Sequence, residues 1–166
     1  MYCLVCFFSF LPVLAPISLA QIGSTVEDFR KSQLVKHEGF SDHGSYELKD
    51  DPVFKGKYAY NFMSADKRYR IQLITEKRGG CIVFQYLFYD YTDDVIQSLK
   101  DGSVTLAFVS ESSAAAVNLE QYISLVAEAN RGDRNSKYTR NIDGYMVSVI
   151  RYQGPVINGW SIGLSM

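Results

Sequence analysis

His37, Glu38, Asp42, His43, Asp50 and Asp51 put two imidazoles and four carboxylates into one polar stretch of the chain. Neutral imidazole nitrogens and carboxylate oxygens are the ligands zinc accepts, so His37, His43 and Asp42 could hold a metal with one position open for chemistry. Their spacing is not that of the helical His-Glu-x-x-His site, and no further histidine exists to complete a set. A solvated acidic loop is the simpler account, and a metal-dependent or hydrolytic enzyme using His37 and His43 is the alternative. Ser41-Asp42-His43 contains the three residue types of a nucleophilic triad, yet adjacent residues point in different directions and triad members meet through the fold. Gly159-Trp160-Ser161-Ile162-Gly163 spells Gly-x-Ser-x-Gly but lies in an alternating C-terminal strand with no helix after it, so no nucleophile elbow is expected, and the chain has no phosphate-cradling glycine loop. No cofactor is expected.

Cys81 opens the apolar run Cys81-Ile82-Val83-Phe84-Gln85-Tyr86-Leu87-Phe88-Tyr89. In such a run a free cysteine is expected to serve as a small buried hydrophobe, because a nucleophilic thiolate needs a cationic or helix-terminal neighbour. Binding chemistry is better represented than catalysis. Eleven of the twelve tyrosines follow residue 20, and a small core cannot take them all, since each buried hydroxyl needs a partner. Tyrosine supplies large contact area at low entropic cost. Tyr58, Tyr60 and Tyr86, with Arg68 and Arg70 beside them, are therefore the expected binding residues of a tyrosine-rich sheet face.

The elements that would position these residues follow from periodicity. Ser24-Thr25-Val26-Glu27 has the form of a capping box, with a short helix expected to about Gln33. Residues 36–51 are turn-rich, with a short strand at Tyr46-Glu47-Leu48. From Lys57 the period is two: Tyr58, Tyr60 and Phe62 share one face, Ser64-Ala65-Asp66-Lys67 turns the chain, and Tyr69, Ile71 and Leu73 alternate with Arg68, Arg70 and Gln72. Glu76–Gly80 makes the next turn, and the run from Cys81 reads as a central strand, apolar on both sides. These three strands form an antiparallel meander.

Thr92-Asp93-Asp94 is expected to cap a short helix that ends at Gly102, followed by a fourth strand over Val104–Val109. The longest helix should begin after Ser113, with Ala115, Leu119, Tyr122, Ile123 and Val126 as its apolar stripe. A polar loop spans Arg131–Lys137, and Tyr145–Ile150 and Trp160–Leu164 alternate as a C-terminal strand pair. Strands and helices in separate blocks define an α+β class: an antiparallel sheet, meander plus C-terminal pair, with a short N-terminal helix and a longer helix packed on one face.

All 17 basic and 18 acidic residues lie after Ala20, and the net charge is −1. A charge-free Met1–Ala20 ending in Ser-Leu-Ala reads as a signal peptide cleaved after Ala20, leaving 21–166 as a single exported domain, secreted or periplasmic. An N-terminal membrane anchor is the alternative, and Pro12 and Pro16 interrupt it. After cleavage no stable membrane anchor is expected. The near-neutral charge offers no field for nucleic acid.

The opening Ile22-Gly23-Ser24-Thr25-Val26-Glu27-Asp28-Phe29, ahead of an antiparallel sheet, loosely resembles the start of small bacterial envelope α+β proteins. These include the SmpA/OmlA-like outer-membrane assembly factors and the β-lactamase-inhibitor-like fold. A lipidation cysteine after the leader is missing, which departs from the former pattern. Taken together, the expectation is a small non-enzymatic domain of the bacterial envelope or exterior that binds a protein partner. A carrier of a small apolar ligand, held between sheet and long helix, is a further alternative.

Overall fold

In the computed structural model, which describes residues 21–155 and 158–166, an antiparallel sheet of seven strands carries helices on one face. The expected signal peptide lies outside the described residues. Helix α1 (Val26–Arg30) is capped one residue later than Ser24: the Thr25 hydroxyl accepts from the Asp28 amide, and the Asp28 carboxylate accepts from the Thr25 amide and hydroxyl. The helix expected to run to Gln33 stops at Arg30. A second helix, α2 (Gln33–Glu38), begins on the Ser32 cap and ends at Gly39, whose φ of 62° is the left-handed conformation that terminates helices cheaply only in glycine.

Strand β1 (Ser41–Glu47) is longer than expected, starting inside the stretch read as turns. It pairs with β2 (Tyr58–Met63), which returns through the Ser64–Lys67 turn into β3 (Tyr69–Thr75) and then β4 (Ile82–Asp90). The meander and the central place of β4 are as expected: β4 is the fourth strand in the order β1-β2-β3-β4-β7-β6-β5. Cys81 departs from expectation. It sits just before β4, bridged to Thr25, and is exposed, because Ile82 takes the first inward position of the strand.

The largest correction follows. Residues expected as a short helix, a glycine stop and a strand form one helix, α3 (Val95–Ser112). Its buried residues, Asp101, Val104, Thr105, Phe108, Val109 and Ser112, recur at three- and four-residue steps, so the β-branched run has helical period when read from Asp101. Gly102 lies on the outside, where a Cβ would meet nothing within 4 Å. A glycine there costs about 1 kcal/mol relative to alanine, too little to break a helix anchored on both sides.

Helix α4 (Leu119–Arg131) starts on the Asn118 cap and is shorter than α3. Its stripe is Tyr122, Leu125 and Ala129, while Leu119 and Ile123 are exposed and Ala115 lies in the preceding turn. The chain then adds β5 (Lys137–Ile142), β6 (Tyr145–Gln153) and β7 (Asn158–Ser165), three strands where a pair was expected. Strand β7 docks against β4 and closes the sheet's two halves.

Helix α3 covers β4 and β7, and α4 covers β5 and β6. Helix α1 reaches β2 through Phe29, whose ring lies 4.9 Å from that of Phe62. The core between the layers includes Phe29, Phe62, Ile71, Leu87, Phe108, Val147 and Ile162, each no more than 1% exposed. Each such side chain contributes about 1.5–3 kcal/mol from burial. No helix among the described residues is long and apolar enough to cross a membrane.

Candidate binding face

Strand register divides the side chains into two sets. Phe62, Ile71, Leu87, Ile162 and Val149 lie in one cross-strand row and point at the helices. The neighbouring row, Asn61, Gln72, Tyr86, Gly163 and Ser148, points away from them. On this face, free of helices among the described residues, β4 presents Phe84, Tyr86 and Phe88, all half-buried. Their rings stack along the strand, Phe84 to Tyr86 at 6.5 Å and 7°, and Tyr86 to Phe88 at 6.1 Å and 28°.

What surrounds the ladder makes it a trough. Phe54, from the β1–β2 connection, sets its edge against Phe84 at 4.8 Å and Tyr86 at 6.4 Å. The floor beside β4 is small: Ser161, Gly163 and Ser165 of β7 oppose Phe88, Tyr86 and Phe84. A Cβ at Gly163 would stand 2.7 Å from the Tyr86 ring and 2.6 Å from Ser148 Oγ, so glycine is what lets that ring lie down on the sheet. Burial pushes the Tyr86 hydroxyl above its ordinary pKa, with the Asp51 and Tyr152 charges adding to it. Beyond Phe88, the Arg70 guanidinium lies over the ring at 4.8 Å, a cation–π geometry. Two hollows, of about 220 and 410 Å³, share Phe88 and Tyr152 along this trough.

The five expected binding residues do not share one surface. Tyr86 and Arg70 are on the trough. Tyr58 and Tyr60 are on the other side, because period two places them with Phe62 on the helix-facing row. Tyr60 is 5% exposed, and its hydroxyl accepts from the Gly79 amide at 2.6 Å. Arg68, one residue before β3, turns toward α3. Its Nε and Nη2 donate to Asp101 at 2.8 and 2.5 Å, while Nη2 also donates to the Asp90 carbonyl.

Asp101 further accepts from the Tyr69 hydroxyl at 2.7 Å and from Gln97 at 2.9 Å. Burial pushes the Asp101 carboxyl up, but the hydrogen bonds from Arg68, Gln97 and Tyr69 together outweigh it and hold the group below its ordinary value. Asp101 raises the Arg68 pKa in return, and burial followed by Asp101 raises that of Tyr69. This cluster bolts α3 to β3. Sequence reading missed Asp101 because it was placed near a helix end. Phe84 and Phe88 are legible with Tyr86 as aromatics at every second position of β4, whereas Phe54 lies in a connection with no local signal that it returns over the sheet.

The metal and triad residues also have definite places. Asp42 accepts from Arg30 Nε and Nη2 at 3.1 and 2.6 Å and from the Gly44 amide at 2.7 Å. Ser41 Oγ and His43 Nε2 are 3.2 Å apart on the exposed edge strand β1. Asp42, between them, spends its carboxylate on Arg30 rather than orienting the imidazole as a triad requires. His37 lies on α2, beside the hollow that Asp66 and Lys100 also line. Among the described residues, no three of His, Cys, Asp and Glu stand close enough to hold a metal ion. A further hollow, of about 410 Å³, lies between α3 and α4 beside Gly102, Ile123 and Trp160.

No family model matches the chain, and no curated protein or solved structure is significantly similar to it.

Proposed function

We propose that this chain is a non-enzymatic protein-interaction domain that acts after export and binds its partner through the helix-free face of the sheet. The observation that carries the reading is the stacked Phe84–Tyr86–Phe88 ladder, left half-buried on a face that no helix among the described residues covers. Aromatic side chains in a rigid strand are preorganised, so little conformational entropy is lost when a partner covers them. That is the pattern of binding hot spots, where a few aromatic and arginine side chains supply most of the energy. The charge-free residues 1–20 support export.

The test compares the tagged protein with its Tyr86→Ala/Phe88→Ala variant, both checked for unchanged secondary structure by circular dichroism. Each is used to capture proteins from an envelope fraction, with quantitative mass spectrometry of the eluates. A stoichiometric partner retained by the parent and lost by the variant is expected. Equal retention by both would refute the face as the binding site.

A further inference from the structure

We infer that the occupant of the trough is an extended acidic segment of a partner protein, its apolar side chains lying on the β4 ladder and a carboxylate held by Arg70 with Lys67. This rests on the binding reading above and assigns the chemistry of the segment.

The spacing of the ladder is the first argument. Its rings repeat at 6.5 and 6.1 Å, close to the roughly 6.6 Å between alternate side chains of an extended strand. A peptide running along β4 therefore meets one ring with every second residue. A helix, whose facing residues repeat every turn of about 5.4 Å, drifts against the ladder by about 1 Å at each contact.

Charge is the second argument. The two hollows of the trough are lined by Lys67, Arg68, Arg70 and Lys137 against Asp51 and Asp90. Arg68 is engaged by Asp101. Asp51 accepts from the Val53 and Phe54 amides, holding the loop that carries Phe54. What remains facing solvent is Lys67, Arg70 and Lys137, three cations against the two carboxylates Asp51 and Asp90 among the described residues lining the trough. None of the three cations has an acidic partner among the described residues. This local excess sits in a chain whose net charge is −1.

Arg70 adds geometry to charge. Its guanidinium is stacked on Phe88 and makes no hydrogen bond among the described residues, so its planar fork is oriented and unspent. A fork of this kind takes a carboxylate through two parallel bonds. An acidic residue beside an aromatic or aliphatic one would place its carboxylate on Arg70 while its neighbour covers Phe88.

The experiment selects a displayed library of random octapeptides on the purified protein, and in parallel on Lys67→Glu/Arg70→Glu and on Tyr86→Ala/Phe88→Ala, each first shown to melt as the parent does. The parent is expected to enrich peptides in which Asp or Glu lies next to alternating apolar residues. A synthetic winner should lose about tenfold in affinity on the charge-reversed protein and weaken with added salt. The charge-reversed protein should itself enrich Lys and Arg. Winners without acidic residues, or an affinity unchanged by the reversal, overturn the inference; if those winners still fail on Tyr86→Ala/Phe88→Ala, the face reading survives alone. No enrichment over the Tyr86→Ala/Phe88→Ala control overturns both. Binding to anionic phosphatidylglycerol vesicles in place of peptides overturns the assignment of a peptide occupant.

Discussion

One strand, β4, supplies both faces of the sheet, and its alternate residues have different fates. Gln85 and Leu87 are fully buried beneath α3, with Ser112 Oγ donating to the Gln85 side-chain oxygen at 2.8 Å. Phe84, Tyr86 and Phe88 are just as large or larger, yet they remain half-buried opposite a floor of serine and glycine. Apolar area is therefore present on both sides of β4, and the open side commits only part of its area to folding. A face that keeps large aromatics partly in water forgoes about 25 cal/mol for each Å² left exposed, which a partner can recover.

The sharpest way to break the covered face is Asp101→Ala. It leaves Arg68 and the Tyr69 hydroxyl partly buried without their carboxylate, and stripping one member of a buried charge pair should cost about 3–5 kcal/mol in urea unfolding. Next, Leu87→Ala should cost about 2–5 kcal/mol as a core truncation. Phe88→Ala, one residue along on the open face, should cost well under that while abolishing partner capture. Equal destabilisation by the two would erase the distinction between the faces.

Gly163→Ala should sharpen the contrast from the open side. Its new methyl group displaces the Tyr86 ring and Ser148 hydroxyl, with about 1–3 kcal/mol lost to overpacking and a disproportionate loss of binding as the ladder tilts. Acid titrates the covered face: because the Asp101 carboxyl is held below its ordinary value, its contribution is whole above the unfolded-state value near 4 and is lost as pH falls through the folded value. Asp101→Asn should flatten part of the acid-side fall in stability, the remainder belonging to Glu27, Asp28, Asp42 and Asp66, which are also held low. Smallest is Arg70→Gln, an exposed change that should move stability by less than about 1 kcal/mol while still weakening an acidic ligand.

The meander was legible because each strand carries its own alternation and each turn its own chemistry. Helix α3 was not. Gly102 and the β-branched Val104 and Val109 argue locally for a stop and a strand, and the continuous helix is held by contacts more than thirty residues away, from Arg68 and Tyr69 to Asp101. Strand β5 was equally hidden, since Lys137, Thr139 and Asn141 form the outward row of an edge strand and read as loop. Of the residues expected at the site, Tyr86 and Arg70 lie on the trough, Tyr58 and Tyr60 lie on the helix-facing row, and Arg68 lines one hollow of the trough while its guanidinium is engaged by Asp101.

By itself the sequence determined the α+β class, the antiparallel meander and, within each strand, which residues travel together, because the two-residue repeat is a property of the backbone alone. Only the tertiary structure decided which side of β4 the helices cover, that Arg68 leaves Arg70 for Asp101, and that Phe54 folds back over Phe84. Those outcomes depend on register between strands and on long-range packing, and no local pattern carries either.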